Sequence, residues 1–72
     1  MVNIGRLNEA MKAHAISYED AARAIGIDRA TFYRRMSRNG SKFTVDEVGK
    51  LSALLGLNSQ TMQEIFFDRE LA

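Results

Sequence analysis

The chain has 72 residues, no cysteine, no proline and a net charge of +1. That length suits one small domain, which on folding takes only about 60% of its unfolded surface out of water and keeps a thin stability margin. Without cysteine there are no disulfides and no thiolate metal site, which fits a reducing cytoplasm; no apolar run nears the ~20 residues needed to cross a bilayer, so no membrane partner is expected.

Taken in chain order, the start Met1-Val2-Asn3-Ile4-Gly5 lacks the basic and apolar regions of a secretion signal. Asn3 is a candidate N-cap, and Ile4, Leu7 and Met11, with Ala10 alongside, recur at helical spacing, which predicts helix 1 from Ile4 to Ala13. Ser17 caps helix 2, Tyr18 to Ile25, with Glu19 and Asp20 in the first turn where acids suit the helix dipole. Ala21, Ala22 and Ala24 are small enough for a close helix crossing, and Gly26 suits the left-handed position that ends a helix. Asp28 caps helix 3, Arg29 to Ser37. A loop follows from Arg38 to Phe43 around the turn-forming pair Asn39-Gly40. Thr44 opens helix 4 with the capping-box spacing Thr44-x-x-Glu47 and an apolar face of Val48, Leu51, Leu54 and Leu55. Gly56 ends it. Asn58 or Ser59 starts helix 5, striped by Met62, Ile65 and Phe66, and the residues from Asp68 to Ala72 are expected to fray. The expected fold is all-α: a compact five-helix domain spanning residues 1–72.

The segment from Tyr18 to Met36 carries the functional signal. Ala22 stands four before Gly26, Ile25 and Ile27 flank that glycine, and Phe32 follows Asp28 by four. Two short helices joined this way form a helix-turn-helix, whose second helix can be offered to a DNA major groove. On a helical wheel Phe32 and Met36 lie about 40° apart and form the buried side of helix 3; Ala30, Arg34 and Ser37 lie opposite, with Thr31 and Tyr33 on the flanks. An outward arginine can donate two hydrogen bonds to a guanine edge. Arg34 is the first candidate and Arg29 the second, near the end by which recognition helices enter the groove. Tyr33 and Thr31 suit a phosphate or a thymine methyl, although Tyr33 could equally pack on a neighbour, and Ala30 permits close approach. Arg35 lies nearer the buried side, where it can snorkel or pair with an acid.

Charge follows the same segment. Residues 1–28 carry three positive and four negative charges, residues 29–43 five positive and none negative, and residues 44–72 two positive and five negative. Arg38, Ser41 and Lys42 in the loop suit phosphate contacts, which set register and affinity without carrying sequence information. One such helix rarely suffices for a specific site, so operator binding implies a homodimer reading half-sites ~34 Å apart. The overall pI of 8.2 nevertheless falls short of the >9 of strongly basic nucleic-acid binders. In the acidic C-terminal third, the adjacent aromatics Phe66 and Phe67 cannot both face one core. One of them, with Glu64 and Asp68 beside it, could anchor a basic protein partner.

Catalysis and metal binding find no support. His14 is the one histidine, suited to a capping or surface role. No serine–histidine–aspartate motif or glycine-rich phosphate loop is present, so neither an enzyme nor a cofactor is expected.

With these residues the chain resembles the Cro/repressor-type helix-turn-helix family of temperate phages and related bacterial regulators: a lead helix, the Ala22–Gly26–Ile27–Phe32 motif and two closing helices. Where a phosphate-contacting glutamine often opens helix 2 in that family, this chain has Tyr18. The start MVNIGRLNEAMK and the segment TFYRRMSRNGSKFTVDEV are similar to the small modulator-of-repression antirepressors in the switch region of some phages of Gram-positive bacteria. That resemblance implies a protein of the bacterial host cytoplasm that binds the phage repressor's DNA-binding domain and blocks operator binding. Two functional readings therefore stand. In one, an antirepressor docks on the repressor, with Tyr18, Tyr33, Glu64, Phe66, Phe67 and Asp68 as candidate contacts. In the other, a regulator binds operator DNA through Arg29, Ala30, Thr31, Tyr33, Arg34, Ser37, Arg38, Ser41 and Lys42.

Overall fold

Each helix begins where a short polar side chain replaces the backbone partner that the first turn lacks. Asn3, Ser17, Asp28, Thr44 and Asn58 accept hydrogen bonds from the backbone N–H of Arg6, Asp20, Thr31, Glu47 and Thr61. The computed structural model describes residues 2–38 and 43–68, and these form α1 (Ile4–Ala13), α2 (Tyr18–Ile25), α3 (Arg29–Ser37), α4 (Val45–Leu54) and α5 (Ser59–Phe66), with no strand. The Asn39-Gly40 turn, Ser41, Lys42 and the tail residues 69–72 lie outside the described residues. Two helix starts are full capping boxes, because the Asp20 and Glu47 side chains reach back to the N–H of Ser17 and Thr44. Thr44 is thus the cap of α4, and Asn58 that of α5. Among the described residues no helix is long and apolar enough to cross a membrane.

Left-handed residues end α1 and α2. Gly26 has φ 80°, which lets the N–H of Ile27 reach the Ala22 carbonyl at 3.0 Å. A Cβ at Gly26 would meet nothing within 4 Å, so glycine is required there by the backbone angle and not by crowding. The same closure ends α1, where the Ile16 N–H reaches the Met11 carbonyl at 2.9 Å, but the left-handed residue is Ala15, φ 54°. His14 occupies the C-cap position beside it.

One alanine pair sets the packing of α2. Ala21 and Ala22 are buried and let α2 lie closely on α3 and α4, while α1 packs against α5. Leu7, Phe32, Leu51 and Leu55 are the largest fully enclosed side chains. The first and last described segments are fastened together: the Asn3 amide donates to Asp68 Oδ2 at 2.9 Å, its N–H donates to the Ile65 carbonyl, and Arg6 pairs with Glu64 at 3.2 Å. Leu54, expected on the apolar face of α4, is 38% exposed. That face is centred on Val48 and Leu55; Leu54 falls about 120° from Val48, at its border, while Ser52 is buried on the other side.

Two opposite substitutions test the helix ends. Ala15→Gly should stabilise the domain and Gly26→Ala should destabilise it, each by about 1 kcal/mol, since a left-handed L-residue costs roughly 1–2 kcal/mol. Urea unfolding checks both; equal signs would contradict the assignment.

Candidate functional site

The rotation of α3 is set by its buried side. Phe32 is fully enclosed, with the Tyr18 ring edge-on at 5.2 Å and the Phe43 ring at 5.7 Å between centroids. Met36 is buried one turn later. At the flank, Arg35 forms a largely buried ion pair with Glu47 and lies 5.7 Å from the centre of the Phe43 ring. The accepting Glu47 oxygen also takes the N–H of Thr44 at 3.0 Å. One carboxylate therefore caps α4 and ties it to α3, which offsets much of the desolvation that a buried pair suffers.

The opposite side of α3 faces outward. Arg29, Ala30, Arg34, Ser37 and Arg38 are exposed, and Tyr33 is 62% exposed. Thr31 is half-buried; its hydroxyl accepts from Arg34 Nη2 at 3.0 Å, and the Ser37 hydroxyl donates back to the Arg34 carbonyl at 3.0 Å. Six of the candidate DNA-contacting residues therefore lie on α3 and Arg38 caps its end; Ser41 and Lys42 lie outside the described residues.

The pairing of charges separates this face from the remainder of the surface. Arg6 is matched by Glu64, Arg23 by Glu19 and Asp20, Arg35 by Glu47 and Lys50 by Asp46. Arg29, Arg34 and Arg38 make no ion pair with the described residues. With Lys12 on α1, they are the described lysine and arginine side chains outside any ion pair, although the charge of Arg34 acts on the nearby Asp28 carboxyl.

A hollow of about 240 Å³ lies beside the same helix, lined by Ile4 of α1, Tyr18 of α2 and Tyr33, Met36 and Ser37 of α3. Tyr18 forms much of its structure. Its hydroxyl donates to Asn8 Oδ1 at 3.0 Å and its ring lies 6.4 Å from that of Tyr33. Nothing in the sequence pattern marked Ile4 as part of a site, because the hollow arises only where three helix faces meet.

The C-terminal candidates are arranged differently from expectation. Phe66 is 3% exposed and part of the core, so it offers no surface to a partner; Phe67, at 51%, is the outward member of the pair. Glu64 is occupied by Arg6 and Gln60, and Asp68 accepts from Asn3. These carboxylates fasten the first and last described segments together instead of standing free beside an aromatic anchor. Among the described residues no group of three or more histidine, aspartate or glutamate side chains could hold a metal ion.

No protein-family model matches the chain, and no curated protein or solved structure matches it.

The N-termini of α2 and α3 are closed by their own acids. Hydrogen bonds from the backbone and hydroxyl of Ser17, then the charge of Arg23, hold the Asp20 carboxyl below its ordinary value; those from Thr31, then Arg34, do the same for Asp28. Both groups ionise at lower pH in the folded chain than in the unfolded one. Their contribution is complete above the ordinary value of 3.8 and is lost as pH falls through the lower folded values. The melting temperature should therefore drop more steeply below that pH in the natural chain than in an Asp20→Asn/Asp28→Asn double variant. Parallel acid profiles would contradict the assignment.

Proposed function

We propose that the protein is a phage-type helix-turn-helix regulator of the lytic–lysogenic switch. It acts as an antirepressor that binds the phage repressor's DNA-binding domain and blocks operator binding. The resemblance of its sequence to the modulator-of-repression group motivates this reading. The observation that carries it is the hollow beside α3 with the exposed ring of Tyr33 at its edge. A phosphate backbone calls for cations and hydrogen-bond donors and has no use for an apolar recess, whereas protein interfaces are centred on aromatic side chains and pockets and are enriched in arginine.

Two details support it. The side chain that opens α2, Tyr18, turns its hydroxyl inward to Asn8 instead of offering a donor outward. The N-termini of α2 and α3, natural phosphate sites in other helices, hold the carboxylates of Asp20 and Asp28.

The unmatched Arg29, Arg34 and Arg38 favour a second reading, a Cro-like regulator that binds operator DNA directly as a homodimer, with Arg34 donating to a guanine edge. Neither reading requires a cofactor.

Gel shifts on the promoter region adjoining the repressor operator separate them. With an antirepressor, the repressor's shift disappears on mixing and this protein alone gives none. A shift by this protein alone, with the repressor's shift intact, overturns that reading in favour of direct binding; Arg34→Ala should then cost ~1–3 kcal/mol of operator affinity.

A further inference from the structure

The hollow lies where α1, α2 and α3 meet, and its position relative to the unmatched arginines restricts what can fill it. Arg29 precedes Tyr33 by four residues and Arg34 precedes Ser37 by three, so on α3 each cation neighbours a residue that lines the recess. Glu19 and Asp20 face Arg23, Asp46 faces Lys50, Glu47 faces Arg35 and Glu64 faces Arg6, while Asp28, the cap of α3, feels the charge of Arg34. An apolar recess bordered by Arg29 and Arg34, neither of them in an ion pair with a described residue, is complementary to an apolar side chain presented next to a carboxylate.

Resting on the antirepressor reading, we propose that this hollow receives one apolar side chain of the repressor's DNA-binding domain. An acidic residue within about one helical turn of that side chain meets Arg29 or Arg34. Tyr33 is the anchor on this side: its exposed ring offers apolar area that a partner can remove from water. The recess is small, which suits a single inserted side chain better than a helix laid along a groove. The alternative anchor, Phe67, carries no comparable arrangement, because its acidic neighbours Glu64 and Asp68 are bonded to Arg6 and Asn3.

Isothermal titration of the repressor's DNA-binding domain tests the proposal, using the full chain and four variants. Tyr33→Ala removes the anchor, Ser37→Phe fills the recess, Arg29→Glu reverses the border charge and Phe67→Ala alters the other exposed aromatic. Tyr33→Ala and Ser37→Phe should each weaken binding at least ~10-fold, as loss of a central anchor does. Arg29→Glu should weaken it more at low salt than at high salt. Phe67→Ala should remain within about two-fold of the natural chain. Melting temperatures of all four check that the fold survives, as expected for exposed positions. Capture by the natural chain that Tyr33→Ala and Ser37→Phe leave unchanged overturns the inference and leaves the antirepressor reading intact. Failure of the natural chain to capture the domain overturns the antirepressor reading as well. A dimer of the natural chain that Ser37→Phe dissociates would mean that a second copy fills the recess, which also overturns the inference.

Discussion

Everything on the outer face of α3 depends on the burial of Phe32. Its ring is fully enclosed, held edge-on by Tyr18 and tilted against Phe43, so it fixes both the rotation of α3 and its distance from α2. A chain of this length has a folding stability of about 4–11 kcal/mol, and removing a buried phenylalanine costs about 3–5 kcal/mol. One side chain therefore accounts for a large share of what keeps the domain folded. The same side chain decides which residues point outward, so stability and presentation of the candidate surface cannot be varied independently at this position.

Electrostatics divides the molecule along the same line. Acids are committed to internal work: Asp20 and Asp28 close helix starts, Glu47 caps α4 while holding Arg35, and Glu64 and Asp68 bind the first and last described segments. Most of the exposed pairs are individually worth little. Their collective effect is that, among the described residues, the positive charge outside ion pairs is concentrated on and at the end of α3. A chain of net charge +1 thereby presents a locally cationic face beside an apolar recess. Net charge is a poor guide to such a molecule, because the surface offered to a partner is determined by which charges the fold has already matched.

Much of this was legible in the sequence where short-range chemistry decides. Asn3, Ser17, Asp28 and Thr44 cap the helices expected of them, and Gly26 adopts the left-handed angle, because caps and turns depend on residues a few positions apart. The outward set on α3 followed from a helical period and two apolar anchors. What the sequence did not reveal is long-range. The Tyr18–Asn8 bond, the shared carboxylate of Glu47, the Asn3–Asp68 fastening and the hollow all need helices brought together by the fold. For that reason the sequence places Glu64 and Asp68 beside an aromatic anchor without showing that Arg6 and Asn3 engage them, and adjacent aromatics on one helix do not disclose which of Phe66 and Phe67 turns inward. Ala15 gave no signal at all: a left-handed alanine has no sequence mark, and the usual glycine is absent.

On the proposed function, a partner covers the face of α3 that carries Tyr33 and Arg34, together with the adjoining Ile4 and Tyr18. Amide chemical-shift mapping of the labelled protein during titration with the repressor's DNA-binding domain tests it most directly. The largest shifts are expected at Ile4, Tyr18, Tyr33, Arg34 and Ser37, with α4 and α5 nearly unmoved. Shifts confined to α5 and Phe67, with α3 unchanged, would contradict it.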